Sequence, residues 1–158
     1  MNTETFFNLI EKNDLNAIKE LIKAGGDINQ INKYGYSALH IASFKGLEEM
    51  GILLTENGIE LNAQDKNGQT ALHYVALNNQ LNFAKALLSK GGDLGIEDMH
   101  GNQPLWTAVF NDKGRNDRIE MVKLFLSHGA DKDHKNKVGK SPIDIVNIAG
   151  YNNLKEVM

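Results

Sequence analysis

The 158-residue chain contains no cysteine. That excludes a disulfide framework and any thiolate metal site. Proline is almost missing: Pro104 and Pro142 are the only two. Both fall where a helix is expected to begin, a position at which the absent N–H costs nothing. There is no excess of positive charge, because 17 Lys and Arg face 20 Asp and Glu for a formal net charge of −3 and a pI near 5.9. A general electrostatic footprint for nucleic acid is therefore not expected. No apolar run is long enough to span a membrane. The start, Met1-Asn2-Thr3-Glu4-Thr5, lacks a basic segment followed by an apolar one. A secretory signal is not expected on that ground, and the cytosol is the expected compartment.

What is present is a repeat. Hydrophobic residues at 41% and charged residues at 23% suit a soluble globular chain rather than a disordered one. The stretch Gly68-Gln69-Thr70-Ala71-Leu72-His73-Tyr74-Val75-Ala76 is matched by Gly35-Tyr36-Ser37-Ala38-Leu39-His40-Ile41-Ala42-Ser43 and by Gly101-Asn102-Gln103-Pro104-Leu105-Trp106-Thr107-Ala108-Val109. A worn fourth copy runs Gly139-Lys140-Ser141-Pro142-Ile143-Asp144-Ile145. A second signal keeps the same period: Gly25-Gly26-Asp27-Ile28-Asn29, Gly58-Ile59-Glu60-Leu61-Asn62, Gly91-Gly92-Asp93-Leu94-Gly95 and Gly129-Ala130-Asp131-Lys132-Asp133. Both signals require one insertion before the last copy, placed in the polar segment Asn111-Asp112-Lys113-Gly114-Arg115-Asn116-Asp117. A fixed period in this range means stacked supersecondary units.

Each unit reads as two helices. Ser37, Thr70 and Ser141 are placed to cap the first helix, and Gln103 is a poorer cap. Second helices are expected at Leu47–Thr55, Leu81–Ser89 and Arg118–Ser127, with Leu53/Leu54, Leu87/Leu88 and Leu124/Phe125 on the buried side. Residues 1–32 read as a helix pair ended at Gly25-Gly26. The chain stops at Met158 within the expected last second helix. That unit is either a short cap or a truncated one, with Leu154 and Val157 near an uncapped end.

These motifs resemble ankyrin repeats, whose pattern is Gly-x-Thr-Pro-Leu-His-x-Ala, an amphipathic helix, and Gly-Ala-Asp-x-Asn. Ala38 and Ala71 stand for the proline, Trp106 and Asp144 for the histidine. The resemblance implies an all-α solenoid of about five helix-turn-helix units with β-turn fingers. It covers one domain, 1–158, with units at about 1–32, 33–65, 66–98, 99–136 and 137–158. Neighbour stacking would then supply the core.

Chemistry has weak support. His40 and His73 stand at motif positions, where they are expected to bond the Ser37 or Thr70 hydroxyl and loop backbone. Their copies, Trp106 and Asp144, suit structure over catalysis. His100, His128 and His134 show no ligand spacing, so no metal and no cofactor is expected. The recurring acids Asp27, Glu60, Asp65, Asp93, Asp98 and Asp131 read as turn and cap residues.

The resemblance also implies where a partner would sit, on turn tips and the exposed ends of first helices along a concave face. Mapped to this chain, those positions include Tyr34, Tyr36, Gln69 and Asn102 at the turns and Phe44, Leu77 and Phe110 at the helix ends, with Trp106 beside them. Phe44, Leu77 and Phe110 form either a binding ladder or core packed against adjacent units. Lys113 and Arg115 place positive charge in the insertion, either for an acidic partner or as a solvated loop. The expected function is non-enzymatic binding of another protein by a monomer, without nucleic acid or membrane. The run 101–110 with its insertion looks like small bacterial ankyrin proteins, some of them similar to immunity proteins that neutralise a toxin. A general scaffold, adaptor or ankyrin effector is the alternative.

Overall fold

Helices start where a short polar side chain meets the first unpaired N–H groups. Asn2 Oδ1 accepts from the Thr5 amide at 2.8 Å and Asp14 Oδ1 from the Ala17 amide at 3.0 Å. These caps open α1 (Thr3–Glu11) and α2 (Leu15–Lys23). The computed structural model describes residues 2–158. Eight further helices follow: α3 (Ala38–Lys45), α4 (Glu48–Glu56), α5 (Ala71–Asn78), α6 (Leu81–Ser89), α7 (Pro104–Asp112), α8 (Ile119–Ser127), α9 (Pro142–Ala149) and α10 (Asn152–Lys155). No strand occurs among the described residues.

The helices pair in sequence and stack in two layers. Odd-numbered helices α1, α3, α5, α7 and α9 form an inner layer, each packed on the next. Helices α4, α6, α8 and α10 line up as the outer layer. The three central inner helices α3, α5 and α7 are buried over most of their length, and small residues let them approach: Ala38, Ala42, Ala71, Ala76 and Ala108 are all inaccessible or nearly so. Between the layers lie Leu39, Met50, Leu54, Leu72, Phe83, Leu87, Leu105, Met121 and Phe125, also fully buried. Each such side chain contributes about 1.5–3 kcal/mol relative to exposure. Leu154 is completely buried as well. The last short helix is therefore packed against the stack.

One close approach is set by a glycine. A Cβ on Gly51, in the middle of α4, would lie 2.0 Å from Cζ of Phe83 in α6. The ring packs directly on the α4 backbone.

Between the units project four turn fingers with one construction. At their bases stand Asn32, Asp65, Asp98 and Asn136, whose Oδ1 atoms each accept two backbone amides within the turn. Neighbouring fingers are joined by backbone bonds from Met99 N–H to the Asn67 carbonyl (2.7 Å) and from Lys137 N–H to the His100 carbonyl (3.0 Å). Past the outer helices, Asn29 and Asn62 stitch adjacent tails, accepting the Glu60 and Asp93 amides at 2.7 and 2.9 Å. The recurring acids of the sequence therefore order turns.

The α3–α4 and α5–α6 connections are tight, through Gly46-Leu47 and Asn79-Gln80. The α7–α8 connection spans residues 113–118. The polar segment was expected to be a loop throughout, but α7 continues through Asp112, which is fully buried. Only the part beyond it is non-helical.

Candidate functional site

Two histidines tie α3 and α5 each to the next finger. His40 Nδ1 accepts the Ser37 amide at 3.0 Å and lies 2.8 Å from Ser37 Oγ; its Nε2 donates to the Gln69 carbonyl at 2.9 Å. His73 repeats this with the Thr70 amide (3.1 Å), Thr70 Oγ1 (3.0 Å) and the Asn102 carbonyl (3.0 Å). A carbonyl on one nitrogen and an amide on the other require the neutral ring with its proton on Nε2. Burial holds both histidines below their ordinary value of 6.5, against an opposing pull from the Gln69 and Asn102 carbonyls. Both rings are thereby committed to structure.

The copies of this position explain the substitutions. Asp144 Oδ2 accepts the Ser141 amide at 3.0 Å, so a carboxylate replaces the imidazole at the helix start. That bond holds its carboxyl below the usual range. Trp106 cannot do the same, and Gln103 makes no side-chain cap. Instead Gln103 Nε2 donates to the Gly95 carbonyl at 3.1 Å. The half-buried Trp106 ring stacks on Phe110, with centroids 4.6 Å apart and planes at 15°, and its Nε1 is buried without a partner.

On the same side of the inner layer, Phe44, Leu77 and Phe110 occupy one position in three successive inner helices. They are 65%, 38% and 46% exposed. Core packing against adjacent units, one of the two readings of this ladder, is thus not what they do. Phe44 lies edge-on to Tyr74 at 6.2 Å, and Tyr74 is itself edge-on to His40 at 5.9 Å. The Tyr74 hydroxyl donates to Asp65 Oδ2 at 2.7 Å. Burial, and then this bond, push its pKa up. Tyr34 is 57% exposed on the first finger, with Lys33 Nζ 5.1 Å above its ring, and Tyr36 is half-buried behind it. Together these residues bound a pocket of about 190 Å3, walled by Tyr34, Tyr36, Phe44 and Tyr74 and flanked by the Lys45–Glu11 ion pair (3.1 Å). A shallower hollow continues toward α1 past Phe7 and Glu4.

A family model described as ankyrin repeats (three copies) matches residues 3–65 and 52–136. The chain belongs to the ankyrin-repeat family. Its helical stack with turn fingers is the ankyrin solenoid. Ankyrin repeats are a non-enzymatic interaction fold and serve generally as protein–protein interaction modules. No curated protein matches the chain at a significant level. Among the described residues no helix is long and apolar enough to cross a membrane, and no group of three or more His, Asp or Glu side chains is placed to hold a metal ion.

Within this ankyrin frame, several expected contact residues take other roles. Asn102 is buried, not presented at a turn tip. Its side chain accepts from Asn136 Nδ2 at 2.8 Å and donates to Asp98 Oδ2 at 3.2 Å, which locks the third finger to the fourth. Gln69 is half-buried, and its backbone is engaged at both ends, by Asp65 and by His40. Lys113 and Arg115 are exposed, but Arg115 Nε lies 3.3 Å from Asp117 Oδ2. Asp117 and the buried Asp112 offset much of the positive charge expected in the insertion.

Arg118 was expected only to open a second helix. This residue is 8% exposed and sends Nη1 to the Ala76 carbonyl at 2.7 Å. Asp112 Oδ1 accepts the Arg118 amide at 3.1 Å, and Asn79 Nδ2 donates to the Asp117 carbonyl at 2.8 Å. The insertion is strapped onto the end of α5, one unit back. Nothing in the local sequence separates Arg118 from Arg115. The signal would have been the Asp112–Arg118 pair bracketing the segment.

Proposed function

We propose that this chain is a non-enzymatic protein-binding module that holds its partner against the face carrying the fingers and the exposed side of the inner helices. One observation carries the reading: Phe44, Leu77 and Phe110 recur at one helical position and all stay out of the core. A periodic row of exposed apolar side chains on an otherwise well-buried frame marks an interaction surface. Trp106, stacked on Phe110, adds a rigid aromatic anchor of the kind enriched at hot spots. The frame is preformed, so little ordering entropy opposes binding. Against catalysis stands the engagement of both buried histidines at both ring nitrogens, which leaves no free acid or base there.

The test is partner capture from the native host with Phe44→Ala plus Phe110→Ala. Both side chains are exposed, so the thermal midpoint should stay near that of the parent while capture is lost. Retained capture would overturn the assigned face. Trp106 is the only tryptophan. Its emission should therefore change on binding of the captured partner.

The narrower proposal is that the partner is a toxin enzyme whose active site this face covers, with the chain acting as a cytosolic monomer. Its support is the resemblance of the 101–110 run and the following insertion to immunity-type ankyrin proteins. If an adjacent reading frame encodes such an enzyme, the purified chain should inhibit it at one-to-one stoichiometry. Absence of inhibition returns the chain to the scaffold or adaptor reading.

A further inference from the structure

Three of the four tyrosines of the chain gather at one end of the proposed face. The pocket they make with Phe44 holds about 190 Å3. A cavity of about 150 Å3 lined by apolar side chains takes a benzene molecule, so this one has room for one aromatic or leucine-sized side chain. Part of its wall is held before any ligand arrives. Tyr74 is pinned by its hydroxyl to Asp65, and the Tyr34 and Tyr36 amides are pinned to Asn32 Oδ1 at 2.9 and 3.0 Å.

Positive charge without a carboxylate partner runs along the finger edge beside this pocket. Lys33, Lys66 and Lys137 take the same position on three fingers, and Lys140 follows on the fourth. All four are exposed, and none forms an ion pair with a carboxylate among the described residues. The stem of Lys66 lies across Gly35 of the preceding finger, where a Cβ would come within 3.2 Å of its Cγ; Lys137 lies across Gly101 in the same way. Packed stems present the ammonium groups along one edge. Two of the nearby carboxylates are otherwise engaged. Glu11 is paired with Lys45, and Asp65 is buried beneath two amides and the Tyr74 hydroxyl. Glu4 is exposed and shares the adjoining hollow with Lys33 and Tyr34. This positive edge belongs to a chain whose net charge is −3.

We propose that the first finger and α3 form the anchor site of the binding face, and that it takes an acidic segment of a partner protein, with one large apolar side chain in the Tyr34–Tyr36–Phe44–Tyr74 pocket and flanking carboxylates on Lys33 and Lys66. The inference rests on the protein-binding reading above and names the partner's chemistry. It also moves the expected acid-binding charge from the insertion, where Asp117 pairs with Arg115, to the finger edge.

Two acetylated, amidated pentapeptides test it, one with a central phenylalanine between pairs of glutamates, the other between pairs of lysines. Each is titrated into the full chain at low salt and followed by amide chemical shifts. The glutamate peptide should bind about fivefold tighter, as two exposed ion pairs allow, with shifts centred on Tyr34, Tyr36 and Phe44. Lys33→Gln with Lys66→Gln should erase the preference, and Phe44→Ala should weaken both peptides. Equal affinities, preference for the lysine peptide, absence of shifts, or full binding by Phe44→Ala would each overturn the proposal. Tighter, salt-sensitive binding of a single-stranded oligonucleotide to the same lysines would overturn it in favour of a nucleic-acid ligand. Failure here is distinguishable from failure of the wider reading. If the native partner is still lost with Phe110→Ala while the peptides show nothing, the face stands and the anchor site does not.

Discussion

Arg118 Nη1 donates to the carbonyl of Ala76 at 2.7 Å, across 42 positions of sequence. The bond fastens the α7–α8 insertion to the end of α5, beside the exposed Leu77. Gly114 of the same insertion lies against Tyr151, since a Cβ there would sit 3.4 Å from the ring. A polar segment thus bridges the third and fifth helix pairs. Arg118→Ala removes this charge-assisted bond and the guanidinium whose Nε lies 3.7 Å from Asp117 Oδ1, while the backbone bond to Asp112 remains. The expected destabilisation is about 1.5–3 kcal/mol. Urea unfolding measures it, and limited proteolysis should show faster cleavage within 113–117. An unchanged cleavage rate would show that Asp112 and Asn79 hold the loop without the guanidinium.

Stability should fall on mild acidification. His40 and His73 are neutral in the fold and held below 6.5, chiefly by burial. In the unfolded chain they protonate at the ordinary value. As pH falls through 6.5 the unfolded state binds protons that the folded state refuses, and the equilibrium shifts toward unfolding. Each histidine contributes at most about 1.4 kcal/mol per pH unit until its folded-state value is reached. Urea midpoints taken between about pH 7.5 and about pH 5 should decline, and His40→Gln should flatten the slope while lowering overall stability.

Gly51→Ala should destabilise despite the higher helix propensity of alanine. The gain on propensity is about 1 kcal/mol. A methyl group there would enter the Phe83 ring, and such overpacking costs about 1–3 kcal/mol. Gly51→Ala with Phe83→Leu should recover part of the loss. A thermal midpoint raised by the single change would disprove the contact.

Asparagine should serve at Asp65 almost as well as aspartate. Asn32 and Asn136 already hold their fingers through Oδ1 as Asp65 does. Asp65→Asn keeps both backbone bonds but replaces the acceptor of the Tyr74 hydroxyl with an NH2 donor, so the hydroxyl must turn to accept. It should cost about 1 kcal/mol, whereas Asp65→Ala strands the Asn67 and Gln69 amides and the Tyr74 hydroxyl and should cost about 2–4 kcal/mol. Chemical denaturation of the two variants side by side decides the point. Equal losses would mean that the charge, not the acceptor geometry, matters.

Much of the architecture was legible because it repeats. The 33-residue recurrence of a cap, a small residue, leucine and histidine placed α3 and α5 correctly, and the recurring glycine tails ended the outer helices. His40 and His73 were read as structural because their copies change to residues that do no common chemistry. The candidate site was legible only in part. Phe44, Leu77 and Phe110 could be aligned as a row, but periodicity serves core and surface equally, and their exposure had to be seen. Asn102 was misjudged because a turn position gives no hint that the next finger will cover it.

Helix positions, stacking order and the finger turns follow from residues within one unit, where caps, glycines and spacing act over a few positions and neighbouring units bury the same faces each time. The face beyond them depends on bonds between units: His40 to Gln69, Asn136 to Asn102, Arg118 to Ala76. Such contacts join residues 29 to 42 positions apart. They determine which polar side chains are used up in the frame and which remain for a partner. No local pattern encodes that division, because burial is a property of what packs over a residue and not of the residue itself.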